Sequence, residues 1–136
     1  MLTQIGTEIN ALHDIMVAQG KHKLLLILQG MDTSGKDGTV KHLFSYCNPL
    51  GIRLTSFKKP TDEELAHDFL WRAHARVPKN GEIMIFNRSH YEDVLITRVH
   101  GWIDASTCQQ RYMQISDFER MLVENGTTII KFFVSI

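Results

Sequence analysis

With 136 residues, 15 Lys plus Arg against 15 Asp plus Glu and no formal net charge, the chain is the size of one domain with one core. That balance excludes recruitment of nucleic acid or an anionic membrane by bulk charge, so any anion site has to come from local clustering. Cys47 and Cys108 show neither CxxC nor Cys/His spacing, which argues against a structural zinc or a disulfide framework and suits a reducing compartment.

Ile5, Ile9, Leu12 and Met16 recur at helical spacing and predict an amphipathic helix ending near Gly20. No charged-then-apolar leader precedes it and no apolar run reaches membrane-spanning length, so a soluble cytoplasmic protein is expected. Residues 1–20 are read as an N-terminal helix and 21–136 as the core. Leu24 to Leu28 is a short continuous apolar run, the pattern of a strand buried on both faces.

That strand feeds Gly30-Met31-Asp32-Thr33-Ser34-Gly35-Lys36-Asp37-Gly38-Thr39. A glycine-bounded loop with one lysine, entering a helix, is the P-loop arrangement: backbone N–H groups and the lysine cradle a phosphate chain. Two acids depart from the common form. Asp37 stands where Ser or Thr usually follows the lysine, and Asp32 sits inside the loop. A carboxylate beside a polyanion is repelled unless a cation lies between them, which makes Asp32 a candidate Mg²⁺ ligand. Asp37 fits either metal or water contact or simple compensation of the helix dipole.

Val40, Leu43 and Phe44 continue the helix, which Asn48-Pro49 and Gly51 terminate. Ile52 to Phe57 predicts a second strand, closed by Lys58-Lys59-Pro60. Thr61-Asp62-Glu63-Glu64 opens a helix whose inner face is Leu65, Phe69 and Ala73, and Pro78 to Gly81 is the turn after it. Residues 82–86 form a third strand with Asn87-Arg88-Ser89 as its exit, followed by a helical segment to about Gly101. Cys108, Tyr112, Ile115, Phe118 and Leu122 line one face of a longer helix capped by Asn125-Gly126, and 127–136 is a fourth strand. Strands alternating with helices give an α/β fold with a mainly parallel sheet.

Ligands of such sheets bind at the carboxyl ends of the strands, where Asn87, Arg88, Lys58 and Lys59 fall. Asn87 is either a ligand for metal-bound water or phosphate, or a turn asparagine. Arg88 either clamps a transferring phosphoryl group or pairs with Glu92 one helical turn on. Arg72 and Arg76 at i, i+4 join an anion-receptive rim, unless Asp68 pairs with Arg72 on a solvated face. Glu92 and Asp93 are metal candidates or dipole partners. Among seven scattered histidines, His67 and His74 lie two turns apart on one helix, and His90 stands beside Arg88.

The loop at 30–39, with Phe57-Lys58-Lys59-Pro60-Thr61, Phe69-Leu70-Trp71-Arg72 and Phe86-Asn87-Arg88-Ser89-His90-Tyr91-Glu92-Asp93, resembles the second family of polyphosphate kinases. The resemblance runs from about Leu12 to the C-terminus. Asn87, where many members carry Asp, makes the chain most similar to the subgroup that phosphorylates both nucleoside mono- and diphosphates. It implies a P-loop kinase-like three-layer sandwich that moves a terminal phosphoryl group between inorganic polyphosphate and AMP or ADP, with Mg²⁺, and ATP as product or donor. Residues 30–39 would then bind phosphates, Lys36 neutralise the transferring group, Asp32 hold metal and Arg88 steady the transition state. Lys58, Arg72, Asn87 and Glu92 would serve acceptor phosphates, metal or bound water. The family continues into a basic lid and further elements, so the resemblance implies that lid and last elements are missing here. An unpaired sheet edge would favour a homo-oligomer. The competing expectations are a non-catalytic phosphate- or nucleotide-binding fragment and an ATP-dependent nucleoside monophosphate kinase.

Overall fold

The computed structural model describes residues 11, 14, 19–20, 22–29, 52–91, 93–94, 101 and 103–133. Four strands, β1 (Lys23–Gln29), β2 (Ile52–Ser56), β3 (Ile83–Asn87) and β4 (Thr127–Phe133), form one sheet in the order β2-β3-β1-β4. Every pairing is parallel, with Leu28 opposite both Asn87 and Phe132, and Ser56 opposite Asn87. The register therefore brings the carboxyl ends of β1, β2 and β3 to one edge. Each strand falls within about two residues of its sequence expectation; residues 134–136 lie outside the described set.

β1 is central, and its five apolar residues are at most 2% exposed. Burial on both faces is what an uninterrupted Leu/Ile run requires in a parallel sheet. On one face Leu25 and Ile27 of β1 pack with Met84, Phe86 and Ile129, and with Phe57, Ala73, Phe118 and Leu122 from beyond the sheet. The last two come from α3 (Ala105–Glu124), whose Asp104 side chain caps the Thr107 N–H at 2.7 Å. Gly126, at φ 94°, then turns the chain into β4. Among the described residues no helix is long and apolar enough to cross a membrane.

Two sequence expectations are corrected. The single helix from Thr61 is two short ones, α1 (Asp62–Ala66) and α2 (Trp71–His74). Thr61 and Glu64 form the capping box expected of a helix start. The break follows because the Asp68 side chain accepts the Leu70 N–H at 3.0 Å and its carbonyl accepts the Trp71 N–H at 3.1 Å. A short acid competing for nearby backbone donors restarts the chain instead of continuing it. Leu65 is left 66% exposed, and Leu70 and Val77 pack against the core in its place. His67 and His74 consequently sit on separate elements, His67 stacked on Trp71 and His74 edge-on to Phe118. On α3, Tyr112 is exposed; the half-buried Arg111 reaches inward, donating to the Asp93 carbonyl at 2.7 Å.

Of the N-terminal helix, Ala11, Asp14 and Gln19 are described, helical and exposed. Its apolar stripe (Ile5, Ile9, Leu12 and Met16) and the helix after the loop (Val40, Leu43 and Phe44) lie outside the described residues, as does Cys47.

Candidate functional site

The loop residues Gly30, Met31, Asp32, Thr33, Ser34, Gly35, Lys36, Asp37, Gly38 and Thr39 lie outside the described residues, as does Glu92. The described part of the site is the sheet edge at the carboxyl ends of the strands, which β1 reaches just before Gly30 in the sequence. β1 delivers Gln29, buried at 4% exposure, immediately before Gly30. Beside it β3 delivers Asn87 and Arg88, and β2 delivers Lys58; the Phe57 N–H bonds to the Asn87 carbonyl at 3.3 Å. Lys58, Asn87 and Arg88, expected at one edge from sequence alone, are thus brought together by strand pairing.

Arg88 is exposed and holds φ 59°. For a residue with a Cβ this left-handed conformation costs about 1–2 kcal/mol and persists only where surrounding bonds overdetermine it. Those bonds are present. The Arg88 N–H donates to the Leu28 carbonyl at 3.0 Å, and the Ser89 hydroxyl donates to Gln29 Oε1 at 3.1 Å. The next turn is closed by the Tyr91 N–H on Ser89 Oγ at 3.1 Å. The strand exit is therefore stitched to the last residues before the loop, and Arg88 projects from it into solvent.

Asn87 is half-buried, and its Oδ1 is buried with no hydrogen-bond partner among the described residues. A buried acceptor without a donor is costly unless something fills it. A neutral, hard oxygen of this kind suits Mg²⁺ or a metal-bound water. Among the described residues no group of three His, Cys, Asp or Glu could hold a metal by itself.

Arg72 departs from its expected surroundings. It is buried, its Nη1 donates to the Lys58 carbonyl at 2.7 Å, and its Nη2 meets Asp93 Oδ2 at 3.4 Å. Glu64 lies 3.7 Å away and the Phe57 ring packs against the guanidinium. It pairs with these acids and not with Asp68, because the helix break turns Asp68 to its own backbone. Arg72 thus braces the β2 exit against the segment after β3, while Lys58, Lys59 and Arg76 remain exposed. Asp93 is engaged in this brace.

A second polar cluster escaped the sequence reading. Glu119 of α3 accepts from His90 Nε2 at 3.1 Å, from the Tyr91 hydroxyl at 3.1 Å, and from Lys131 Nζ at 2.5 Å. Lys131 also donates to the Tyr91 hydroxyl at 2.8 Å. Burial pushes the Glu119 carboxyl up, but the His90 and Lys131 hydrogen bonds outweigh it and leave its pKa below the usual carboxylate value. Burial pulls Lys131 down, yet its bonds to Glu119 and Tyr91 leave it raised. Tyr91 is raised, chiefly by burial, with Lys131 opposing and the Glu119 charge assisting. The available signal was spacing: Glu119 shares the i, i+3, i+4, i+7 stripe with Ile115, Phe118 and Leu122.

A groove of about 500 Å³ lies between α2 and α3, lined by Asp68, Leu70, Trp71, His74, Ala75 and Phe118. It holds an acid and no converging Lys or Arg, so it does not suit a polyanion; the strand exits do.

Comparison with known proteins gives one answer. The polyphosphate kinase 2 family profile matches residues 1–136. The chain is 50% identical to an AMP/ADP-polyphosphate phosphotransferase of Meiothermus ruber, over 99% of this chain and 51% of that protein. An ADP-polyphosphate phosphotransferase of Rhodopseudomonas palustris is 42% identical, over 97% of this chain and 51% of that protein. The crystal structure of polyphosphate kinase 2 from Arthrobacter aurescens superposes with a TM-score of 0.92 at 49% identity, covering 99% of this chain and 49% of that one. The chain spans about half the length of the relatives it matches.

Proposed function

This chain belongs to the polyphosphate kinase 2 family, and from that premise we propose that it carries the phosphate-handling core of a Mg²⁺-dependent phosphotransferase. The transfer runs between inorganic polyphosphate and a nucleoside mono- or diphosphate, AMP or ADP, with ATP as the product from ADP. The observation that carries the reading is Arg88, an exposed guanidinium held in a disfavoured backbone conformation at the mouth of the P-loop strand. Strain retained at a ligand-binding edge points to use.

The reaction breaks one phosphoanhydride bond and makes another, so it is nearly balanced and its direction follows concentrations. The protein needs no nucleophile of its own; it needs positioning and charge neutralisation. Arg88 would share charge with the equatorial oxygens of the moving group. Lys36 and the amides of residues 30–39 would hold the donor chain. Asn87 Oδ1, Asp32 and Glu92 are the oxygens that would hold Mg²⁺, whose role is to neutralise charge spread over adjacent phosphates. Lys58, exposed one strand away, would meet the acceptor phosphates. Arg72 would act by fixing the backbone of Lys58, since its donors already serve Lys58, Asp93 and Glu64.

The same reading takes 1–20 as a helix flanking a 21–136 core. It places the protein in the cytoplasm, without nucleic-acid or membrane partners, as a homo-oligomer.

Formation of ATP from ADP, polyphosphate and Mg²⁺ tests the function, with Lys36→Ala expected to abolish it. Transfer from ATP but not from polyphosphate would replace the reading with a nucleoside monophosphate kinase. Heat of polyphosphate binding without turnover would identify a binding core that needs further chain for catalysis.

A further inference from the structure

Arg88 holds its left-handed conformation between two sets of anchors. On one side is its own N–H on Leu28; on the other, three successive residues are pinned. Ser89 is tied to Gln29, while His90 and Tyr91 are both tied to a single carboxylate, Glu119, on a helix 29 residues further along the chain. The Glu119 residue is 9% exposed on a stripe that is otherwise apolar. Packing of α3 on the sheet gains nothing from a charge there, because the ion must be desolvated. Lys131 answers that charge from β4, where its register partner is Ile27.

We propose that Glu119, with Lys131 as its counter-ion, is a positioning residue that holds the 88–91 turn and thereby aims the Arg88 guanidinium at the moving phosphoryl group. This rests on the reading of Arg88 as a phosphate contact. Glu119 touches no substrate; it acts through His90 and Tyr91. Its chemistry is specific to a carboxylate. Three donors converge on it: an imidazole N–H, a phenol and an ammonium. Both oxygens of a carboxylate accept, whereas a glutamine presents one oxygen and one amide donor. In Glu119→Gln the amide either meets Lys131 donor to donor or faces His90 Nε2, which must then switch from donor to acceptor; either way the charge-assisted hold of the carboxylate is lost with volume unchanged.

Two readouts on the full chain decide the matter. In amide hydrogen exchange, Glu119→Gln is expected to speed exchange of the Arg88 N–H by at least about tenfold, while the β1–β4 ladder keeps its protection. Unchanged protection at Arg88 overturns the proposal whether or not the chain turns over. In the transfer assay, Glu119→Gln is expected to lower kcat by about 10- to 100-fold with KM within about threefold. Combined with Arg88→Ala it is expected to add nothing further, because both changes remove the same contact. Losses that multiply would mean that Glu119 acts elsewhere, which also overturns it. Should Glu119→Gln fail to fold, Tyr91→Phe removes one tether alone, with the same pattern expected at about two- to threefold and the same two outcomes against it. A wild-type chain that neither binds polyphosphate nor transfers phosphate sinks the functional reading, and the exchange measurement still rules on the tether.

Discussion

Two strand exits at the same sheet edge are secured by opposite means. At the β2 exit a buried cation, Arg72, reaches in and holds a backbone carbonyl, with acids at 3.4 and 3.7 Å around it. At the β3 exit a buried anion, Glu119, collects three side-chain donors at 2.5 to 3.1 Å. The Arg72 guanidinium is a donor only, and it forks between the Lys58 carbonyl and the Asp93 carboxylate. A carboxylate that gathers an imidazole, a phenol and an ammonium is a hub whose state depends on protonation. The first device fixes chain position; the second holds the turn that follows Arg88.

The comparison breaks most visibly at Arg88. Arg88→Ala is expected to lower kcat by about 10²- to 10³-fold, the usual cost of removing one preorganised charge donor, with KM nearly unchanged in steady-state transfer. Arg88→Gly should lose the same activity yet raise stability by up to about 1 kcal/mol in urea melts, because glycine adopts φ 59° without strain. A glycine variant no more stable than wild type would remove the claim that strain is stored there.

Next in size is Arg72→Met, which keeps the stem and deletes the guanidinium. It should cost about 3 kcal/mol, since Asp93 loses its buried counter-charge and the Lys58 carbonyl its donor. The effect on transfer should appear in KM for the nucleotide, because Lys58 moves while Arg88 stays. A loss confined to kcat would merge the two exits into one unit.

How far these devices could be read from residues differs in the same way. The apolar run of β1, the four-strand pattern and the Gly126 stop after α3 are local signals, and the structure follows them. Arg88 at a strand exit followed from where ligands sit in parallel sheets. Its left-handed backbone did not, since nothing in Arg-Ser-His favours it and the cause lies in Gln29 and Glu119. Arg72 was expected on an anion-receptive rim or paired with Asp68 on a solvated face because periodicity assumed an unbroken helix, and one Asp68 hydrogen bond ended it. Glu119 was passed over because a search for apolar stripes does not register the charged residue on the stripe. The roles expected of residues 30–39 and Glu92 lie outside the described residues.

A smaller effect sharpens the picture of the hub. In a cycle of Glu119→Gln, Lys131→Met and the double variant, the coupling energy from urea melts should be about 1–2 kcal/mol. Lys131 is one-third exposed, so solvent screens part of the pair. A coupling near zero would leave His90 and Tyr91 as the partners that matter.

The smallest effect is the pH profile, and its sign follows from three shifts. Glu119 is lowered from 4.5, so the stability it contributes is fully present above that value and is lost as pH falls through its folded pKa. Lys131 is raised from 10.5, so its contribution is complete below that value and is lost as pH climbs through its folded pKa. Tyr91, raised from 10.0, adds to the alkaline loss because the unfolded phenol ionises first. These three groups therefore contribute a plateau between the two ranges with a shoulder at each end, at most about 1.4 kcal/mol per pH unit for each group. Glu119→Gln should flatten the hub's acid shoulder in melts taken from pH 7 down to 3, and the Arg88 amide should deprotect over that same shoulder in the wild type. An acid shoulder that persists in full would place the titration on other carboxylates and leave Glu119 ionised by its neighbours throughout.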